Sequence, residues 1–539
     1  MAPFLDANEN VGSGPYGPPS SSSRDSSGVG TAMTSDTDGP ELDSPAPQGP
    51  EPIAIIGMGC RLPGGASTPS KLWDLLEAGK SAQGRLPRDR YNMDAFYHPN
   101  SDRPGSMNTS GGYFIQESVR GFDNSMFGIN NLEAMYMDPQ QRKLLEVTFE
   151  AFEAAGLSLD AVSGANVGCY VGNFVTDFIT MQLKDAEYTH RYTATGSGTT
   201  ILANRISHVF NLKGPSFVID TACSSSLYCL HAACSALWQG ECDSAVVAGA
   251  NLIQSPEQQL ATMKAGVLSG TSTCHTFDAS ADGYGRADGI GVLLVKRLSD
   301  AIRDGDPVRS VIRSSAVNSN GKTNGITLPS ADGQEAVIRK AYELAGLGYG
   351  ETDYVECHGT GTAVGDPIEV EALSRVFRRP PGSPLLIGSI KTNLGHSEAA
   401  SGISSLIKVA MALEKGRIPP TIGIKSLNPK LKLDEWNMRI VTENTDWPDV
   451  NKRPAGQGRV LRRAGVNSFG YGGANAHCIL ESPDTHIPRG YRERGAARLA
   501  TGATRTALLL PVSSNGASSL QEKAAGIANY VAAKAGDGG

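Results

Sequence analysis

One thiol interrupts the run FVIDTACSSSLYCLHAACSALW, where β-branched and aromatic residues give way to an apolar pattern of helical period. The pattern predicts a strand that ends just before Cys223 and a helix that begins directly after it. Free N–H groups at a helix N-terminus and the helix dipole stabilise a thiolate. Such a position lowers a thiol pKa from about 8.5 into a range of roughly 3.5 to 7.5, so the sequence predicts that Cys223 is a nucleophile.

A buried structural cysteine is the alternative, because free cysteine is among the most buried residue types. The residues around the sulfur, from Asp220 to Ser226, are small and polar. They fit an apolar core position poorly, which favours the nucleophile.

Charge and hydropathy exclude several classes of protein. The 539 residues carry a net charge of −7, of which the first 50 residues contribute −6 and the remainder only −1. This distribution provides no basic surface for nucleic acid. No apolar stretch is long enough to span a bilayer, and the N-terminus lacks a secretory signal, so we expect a cytoplasmic protein.

The nine cysteines fit the reducing cytosol, because their number is odd and no C-x-x-C pair occurs. We therefore expect neither disulfides nor a metal. A nucleotide cofactor is not expected either. Gly57 and Gly59 follow the first predicted strand, but Leu62 stands where the third glycine of a dinucleotide fingerprint belongs.

The composition divides the chain into three parts. Residues 1–50 form an acidic arm rich in Ser, Gly and Pro, which we expect to be disordered because it has few large apolar side chains. From 51 to about 483, short apolar strands alternate with helical segments, as in an α/β fold. Residues 484–539 are interpreted as a linker, in which a strand at 508–512 and a helix over 517–534 resemble the start of another domain.

A histidine follows a predicted strand in TDYVECHGTGTAVGDPIEVEALSRVF. Asp366, Pro367 and Glu369 have the spacing of a capping box at the start of the next helix. His358 is therefore expected on a loop beyond the C-terminal end of a strand, where α/β sheets place ligand clefts. A structural loop histidine is the alternative, but the small residues 359–362 leave room for a ligand.

The same arrangement recurs where the predicted strand LLIGSI runs into KTNLGH and then into an apolar helical pattern. His396 again lies beyond a strand, and Gly416 is a suitable C-cap for the helix. Lys391 is either a solvated surface charge or a cation that orients a histidine or a carboxylate. The buried strand before it favours the second interpretation.

Glycines are dense in NSFGYGGANAH, from Asn467 to His477. They allow the backbone to approach a ligand closely, with a tight hairpin as the alternative. His477 and the six histidines not yet mentioned lack a comparable setting and are predicted to be structural.

Taken together, DTACSSS, HGTGTAVGDP, KTNLGHSEAASG and NSFGYGGANAH resemble the β-ketoacyl synthase (ketosynthase) domain of polyketide synthases. The resemblance covers roughly residues 51–483. Within it, the sequence is similar to that of fungal, highly reducing, type I iterative enzymes. It implies a thiolase-like fold of two similar α/β halves, roughly 51–300 and 301–483, in alternating layers. It also implies a homodimer and a chain that ends in the linker before an acyltransferase.

This resemblance implies decarboxylative Claisen condensation, which extends a polyketide by two carbons. Cys223 would hold the acyl group, and His358 and His396 would assist the loss of carbon dioxide from a malonyl thioester. Lys391 would fix His396 electrostatically. No cofactor is implied, because an acyl carrier protein delivers the substrates on phosphopantetheine.

Three further residues receive supporting roles from the resemblance. The N–H groups of Cys223 and Phe469 would form an oxyanion hole, and the Phe469 ring would act as a gate over the thiol. Thr360 and Thr362 would bind the pantetheine arm through their hydroxyls.

Two rival functions remain open at this point. A thiolase-like enzyme acting on coenzyme A esters usually carries a second catalytic cysteine near the C-terminal glycine motif, where this chain has only Cys478, within a predicted strand. A non-catalytic scaffold fragment is suggested by the acidic arm and the linker. The thiol and both histidines argue against the scaffold.

Overall fold

The computed structural model describes residues 49–448, 461–488, 491, 512–514 and 516–536. The predicted disordered arm lies outside these residues except for its last two positions, and so does the strand expected at 508–512 except for Val512. The helix expected over 517–534 is present as Ala517–Gly536. The domain boundaries at 50 and 483 stay predictions.

Most strands of the described residues belong to one mixed sheet of eleven strands, and two separate pairs, β2 with β3 and β11 with β13, complete the set. The strands are β1 (Ile53–Arg61), β2 (Gln83–Arg85), β3 (Gly111–Tyr113), β4 (Val167–Gly172), β5 (Ser216–Ile219), β6 (Ser244–Asn251), β7 (Gly289–Arg297), β8 (Ser310–Ser319), β9 (Tyr354–Glu356), β10 (Leu385–Gly388), β11 (Arg417–Ile418), β12 (Met438–Ile440), β13 (Thr445–Asp446), β14 (Arg463–Phe469) and β15 (Ala474–Glu481).

The large sheet consists of two halves with the same strand order. The first half runs β5-β4-β6-β7-β1 and the second runs β10-β9-β14-β15-β8, with β12 added at the far edge. In each half the first two pairings are parallel and the next two are antiparallel. The halves meet where β1 pairs with β8. This repeat confirms the expected pair of similar α/β halves.

Helices pack against the strands of both halves. They are α1 (Pro69–Glu77), α2 (Asn131–Tyr136), α3 (Pro139–Ala154), α4 (Leu159–Val162), α5 (Asp177–Gln182), α6 (Thr193–Ser197), α7 (Ile201–Phe210), α8 (Ser225–Gln239), α9 (Pro256–Lys264), α10 (Leu298–Asp304), α11 (Ala331–Ala345), α12 (Gly365–Val376), α13 (Lys391–Leu394), α14 (Ser401–Lys415) and the final helix Ala517–Gly536. Within the described stretches, no helix combines the length and hydropathy needed to cross a membrane.

Two of these helices form the middle layer of the fold. Both α8 and α14 contact strands of both halves as well as each other, whereas α3 and α7 pack on the first half and α11 on the second. Along β1, Ile53 and Ile55 join the central core, and Ala54 and Ile56 join the core under α3. The strand is therefore buried on both faces, as its continuous apolar run predicts.

The two middle helices approach each other closely at Gly402 of α14. A Cβ at this position would lie 2.3 Å from the Cδ1 atom of Leu227 on α8, which is too short for any real contact. Any side chain at position 402 would therefore force Leu227 to shift, so this glycine allows the two helices to pack closely.

Candidate active site

Cys223 lies where the sequence places it, at the N-terminal end of a helix. Ala222–Ser224 form one 3-10 turn directly before α8, and Ala222 adopts a left-handed φ of 56°. The carbonyl of Cys223 accepts hydrogen bonds from the Ser401 hydroxyl at 3.1 Å and the Ser468 hydroxyl at 2.9 Å. Because both serines belong to the second half, that half fixes the position of Cys223 in the first.

His358 lies on the loop beyond β9, as expected, but the predicted capping box is wrong. Helix α12 begins at Gly365 with Val364 as its N-cap. The carboxylate of Glu369 accepts the backbone N–H of His358 at 2.7 Å and that of Gly359 at 2.8 Å. The acid that the sequence assigns to the helix end therefore holds the histidine loop instead.

Asp366, the other member of the expected capping box, has the same kind of role. Its carboxylate accepts the N–H of Phe277 at 2.9 Å and that of Gly361 at 3.0 Å. Both donors are loop amides with no strand or helix partner, and a buried N–H without a partner is costly. The local pattern misleads because tertiary packing supplies better donors to these carboxylates than the helix end does.

His396 follows a tight turn at the end of α13. Gly395 has a φ of 73°, and a Cβ there would lie 2.2 Å from the Tyr113 ring, so only glycine fits. The main chain of His396 is held on both sides, since its N–H donates to Gly285 at 2.8 Å and its carbonyl accepts from Ala287 at 2.9 Å. The imidazole is fully buried.

The hydrogen bonds of His396 define its neutral tautomer. Its Nδ1 accepts the backbone N–H of Glu398 at 3.2 Å, so the ring proton resides on Nε2. This Nε2 is buried and has no hydrogen-bond partner among the described residues. His396 thus presents an unused N–H donor to the site, which the sequence alone could not show.

The three expected residues converge. The Sγ atom of Cys223 and one ring nitrogen each of His358 and His396 all lie within 4.8 Å of one another. The two imidazole rings pack edge to face with centroids 5.4 Å apart. A thiol and two imidazoles are also zinc ligands in other proteins. Here the Nε2 of His396 carries the ring proton, so this atom has no free lone pair for a metal ion.

The pKa of the Cys223 thiol is shifted in the direction opposite to the one expected from the sequence. Burial raises the pKa of Cys223 above its usual value, and the Glu398 carboxylate raises it further, whereas Lys391 and nearby backbone N–H groups lower it. Burial and the Lys391 charge also hold the pKa values of His358 and His396 well below their usual range. The resting site therefore contains a protonated thiol and neutral imidazoles, because desolvation outweighs the helix N-terminus.

Lys391 is buried at the start of α13, with 1% of its surface exposed, so the surface-charge alternative is wrong. Burial lowers its pKa, and the Glu356 and Glu369 carboxylates oppose that shift. Glu356 also accepts the Ile390 N–H at 2.7 Å and forms an ion pair with Lys408 at 2.7 Å. Glu356 thereby links β9, which leads to His358, to the turn that carries Lys391.

The glycine-rich segment supplies a ring and an amide to the site. Phe469 is the last residue of β14, and the centroid of its ring lies 5.9 Å from the centroid of the His358 ring. The backbone N–H groups of Tyr471 and of Cys223 itself lower the pKa of the Cys223 thiol, although burial outweighs them. An oxyanion hole formed by the N–H groups of Cys223 and Phe469, and a gating role for the Phe469 ring, stay predictions.

Thr360 and Thr362 lie on the loop after His358 with their hydroxyls 3.2 Å apart. Thr362 also accepts the Gly365 N–H at 3.1 Å. Their proposed contact with a pantetheine arm stays a prediction. Cys478, by contrast, is fully buried in the central core on β15, and the cluster of reactive side chains does not include it.

Sequence reasoning missed three buried acids that shape the site. Glu369 was assigned to a helix end, and Glu356 and Glu398 were not singled out. Glu356 and Glu398 each stand two residues from a candidate histidine in the sequence. An acid so close to a predicted buried histidine is the signal that would have found both.

Comparison with known proteins agrees with this geometry. Residues 50–301 match the N-terminal domain of beta-ketoacyl synthase, 309–425 its C-terminal domain, and 428–536 the ketoacyl-synthetase C-terminal extension. The ketosynthase domain of the oxazolomycin enzyme from Streptomyces albus JA3453 is 35% identical, with a TM-score of 0.78 over 88% of this chain and 79% of that one. The module 6 ketosynthase of the bacillaene synthase from Bacillus subtilis 168 is 36% identical, with a TM-score of 0.72 over 80% of this chain and 72% of that one.

The fold and the family matches define a condensing enzyme of thiolase-like architecture. The chain belongs to the β-ketoacyl synthase family. Highly reducing polyketide synthase 19 of Pyricularia oryzae is 87% identical over 99% of this chain, and the highly reducing polyketide synthase srdA of Neurospora crassa is 76% identical over 89%. The chain spans about a fifth of the length of these curated relatives.

Proposed function

We propose that this chain catalyses the decarboxylative condensation of a malonyl thioester with an acyl group held on Cys223. The convergence of one thiol and two imidazoles within 4.8 Å carries the proposal. In the first step the sulfur attacks the carbonyl of an incoming acyl thioester and gives its proton to a neutral imidazole. The N–H groups of Cys223 and Phe469 stabilise the oxyanion, and the carrier thiol leaves with the proton.

The second step removes carbon dioxide from a malonyl thioester. Cleavage of the bond to the carboxylate leaves an enolate, whose negative oxygen needs hydrogen-bond donors in a site shielded from water. The Nε2–H of His396 and a ring N–H of His358 supply them. The enolate carbon then attacks the acyl group, a carbon–carbon bond forms, and the sulfur departs as a thiolate that regains a proton. The product is a β-keto thioester two carbons longer.

The acyl-enzyme is the intermediate that tests the proposal most directly. We expect an acyl-N-acetylcysteamine thioester to add one acyl mass to the peptide that contains Cys223. Cys223→Ser should lose this adduct, and Cys229→Ser should keep it, because Cys229 lies on the same helix but is packed in the central core. Peptide mass spectrometry reads out both variants. An unmodified wild-type protein would support the scaffold alternative, and acylation without carbon dioxide release from a malonyl thioester would support the thiolase alternative.

The partners follow from this chemistry. Acyl carrier and acyltransferase domains, in the same or another polypeptide, deliver acyl and malonyl groups on phosphopantetheine, so this part of the enzyme itself uses no cofactor. The nine cysteines are all buried and free, which supports the cytosol as its compartment.

A homodimer is supported by the edge of the first half. Among the described strands, β5 pairs with β4 alone, and Phe217 on this edge exposes 41% of its surface. An exposed apolar edge strand favours pairing with another chain. Since Cys223 follows β5 by four residues, such pairing would also order the segment that leads to the nucleophile.

We expect Phe217→Glu to convert the dimer to a monomer, because a charge at the edge opposes burial of the apolar strand. Leu344→Glu is the matched control, since this partly exposed leucine lies on α11 in the second half. Sedimentation equilibrium measures both masses. A dimer that persists in Phe217→Glu would place the contact elsewhere, and a monomeric wild-type protein would refute the dimer.

A further inference from the structure

Glu398 has an unusual backbone conformation for its position beside the site. Its φ is 50°, in the left-handed region that non-glycine residues rarely adopt, and it stands two residues after His396. Such a conformation persists only when the surrounding contacts impose it, and it occurs preferentially at functional positions. The contacts of Glu398 therefore show what the conformation achieves.

The backbone of Glu398 contacts the imidazole directly. Its N–H donates to the Nδ1 of His396 at 3.2 Å. A ring with the proton on Nδ1 would place two hydrogens against each other, so this contact keeps the proton on Nε2. The enolate of the proposed reaction needs this Nε2–H as a donor. The left-handed conformation thus aims an amide at the one atom that determines the tautomer of His396.

The side chain of Glu398 explains how that conformation is maintained. Its carboxylate accepts the Nε–H of Arg286 at 3.0 Å and the hydroxyl of Tyr284 at 3.2 Å. The ion pair is almost completely buried, with 0% and 2% of the Arg286 and Glu398 side chains exposed. The same segment holds the main chain of His396 through Gly285 and Ala287, and the Tyr284 ring packs 4.7 Å from the imidazole. Residues 284–287 therefore hold His396 and Glu398 as one unit.

We propose that Glu398 is a positioning residue whose buried pairing with Arg286 and Tyr284 orients its own N–H against Nδ1 of His396 and thereby keeps the Nε2–H directed at the reacting enolate. The inference rests on the proposed condensation. It adds a role for an acid that does not touch the substrate and acts through the histidine.

The negative charge of Glu398 also affects the Cys223 thiol. After burial, the Glu398 carboxylate is the largest contribution that raises the pKa of Cys223. The other titratable or charged groups that face this sulfur are Lys391, His358, His396, Tyr284 and Tyr471. A neutral residue at position 398 leaves these groups in place and removes one negative charge, so the thiol pKa falls.

Glu398→Gln is expected to change two rates in opposite directions. Carbon dioxide release from a malonyl thioester should fall about tenfold to a hundredfold in kcat, because a mispositioned donor no longer stabilises the enolate. Alkylation of Cys223 by iodoacetamide at pH 7 should become severalfold faster, because its rate follows the thiolate fraction and the titration curve moves to lower pH. A loss of packing alone would not move the alkylation profile toward lower pH while slowing decarboxylation.

Glu481→Gln is the matched control. Glu481 is equally buried and pairs with Arg463, but it lies at the far end of β15, away from the sulfur. We expect this variant to lower the melting temperature and to leave both rates unchanged. Tyr284→Phe is a milder second variant, which removes one donor to Glu398 and should lower decarboxylation severalfold if the glutamine variant fails to fold.

Three outcomes would overturn the positioning role. The first is a wild-type rate of decarboxylation in both Glu398→Gln and Tyr284→Phe. The second is a loss of both decarboxylation and alkylation in Glu398→Gln. The third is slower decarboxylation together with faster alkylation in Glu481→Gln. A wild-type protein that releases no carbon dioxide would refute the proposed function instead, so the two failures are distinguishable.

Discussion

Replacing Cys223 with glutamine is expected to abolish condensation while malonyl decarboxylation continues. Glutamine offers no nucleophile, so no acyl-enzyme forms, and condensation should fall by about 10⁴-fold or more. The imidazoles of His358 and His396 remain in place, so the enolate can still form and then be protonated. Radiolabelled malonyl thioester measures carbon dioxide release and β-keto product in the same reaction.

Cys229→Gln tests whether a glutamine on α8 disturbs the fold in general. Cys229 is fully buried one and a half turns further along the helix, away from both imidazoles. This control should lose stability without separating the two activities. If the Cys223 variant still made β-keto product, the acyl group would have to reside elsewhere.

The second large effect is expected for His396→Ala, which should lose both decarboxylation and condensation. The substitution removes the Nε2–H donor and leaves the Glu398 N–H without its acceptor, so the enolate loses its main stabilisation. Removal of one oxyanion donor typically slows a reaction by about 10² to 10³-fold. Carbon dioxide release from a malonyl thioester is the measurement, with acylation of Cys223 followed in parallel.

His231→Ala is the matched control for this change. His231 lies on α8 and forms a hydrogen bond with Ser315, and it is not part of the reactive cluster. It should retain both activities at a reduced melting temperature. Unchanged carbon dioxide release in the His396 variant would contradict the role of this imidazole as a donor to the enolate.

The sequence predicted the positions of the reactive residues more reliably than their electrostatics. Strands followed by small residues placed Cys223, His358 and His396 at loop and helix starts, and the structure brings all three together. The direction of the thiol pKa was wrong because a helix N-terminus is visible in a local pattern, whereas desolvation depends on distant segments that cover the sulfur. The capping box was wrong for the same reason.

The repeat between the two halves is another feature that no local pattern revealed. Corresponding strands such as β5 and β10 share a place in the sheet order but have different residues, SFVI and LLIG. Strand β10 is buried, whereas β5 is an edge strand with partly exposed side chains, so the two places differ in environment as well as in sequence. The repeat is therefore visible in the strand order and not in the sequences of the corresponding strands.

The nucleophile and its partners are divided between these halves. Cys223 follows β5, and Lys391 and His396 follow β10, which occupies the corresponding place in the other half. The two sets meet where Ser401, at the start of α14, donates to the Cys223 carbonyl and the next residue, Gly402, packs on Leu227 of α8. A substitution that swells this helix pair, beside the serine that holds the Cys223 carbonyl, would widen the gap between sulfur and imidazole. Turnover would then decline while the protein stayed folded. The packing of the interior thus limits which substitutions the reaction can accept.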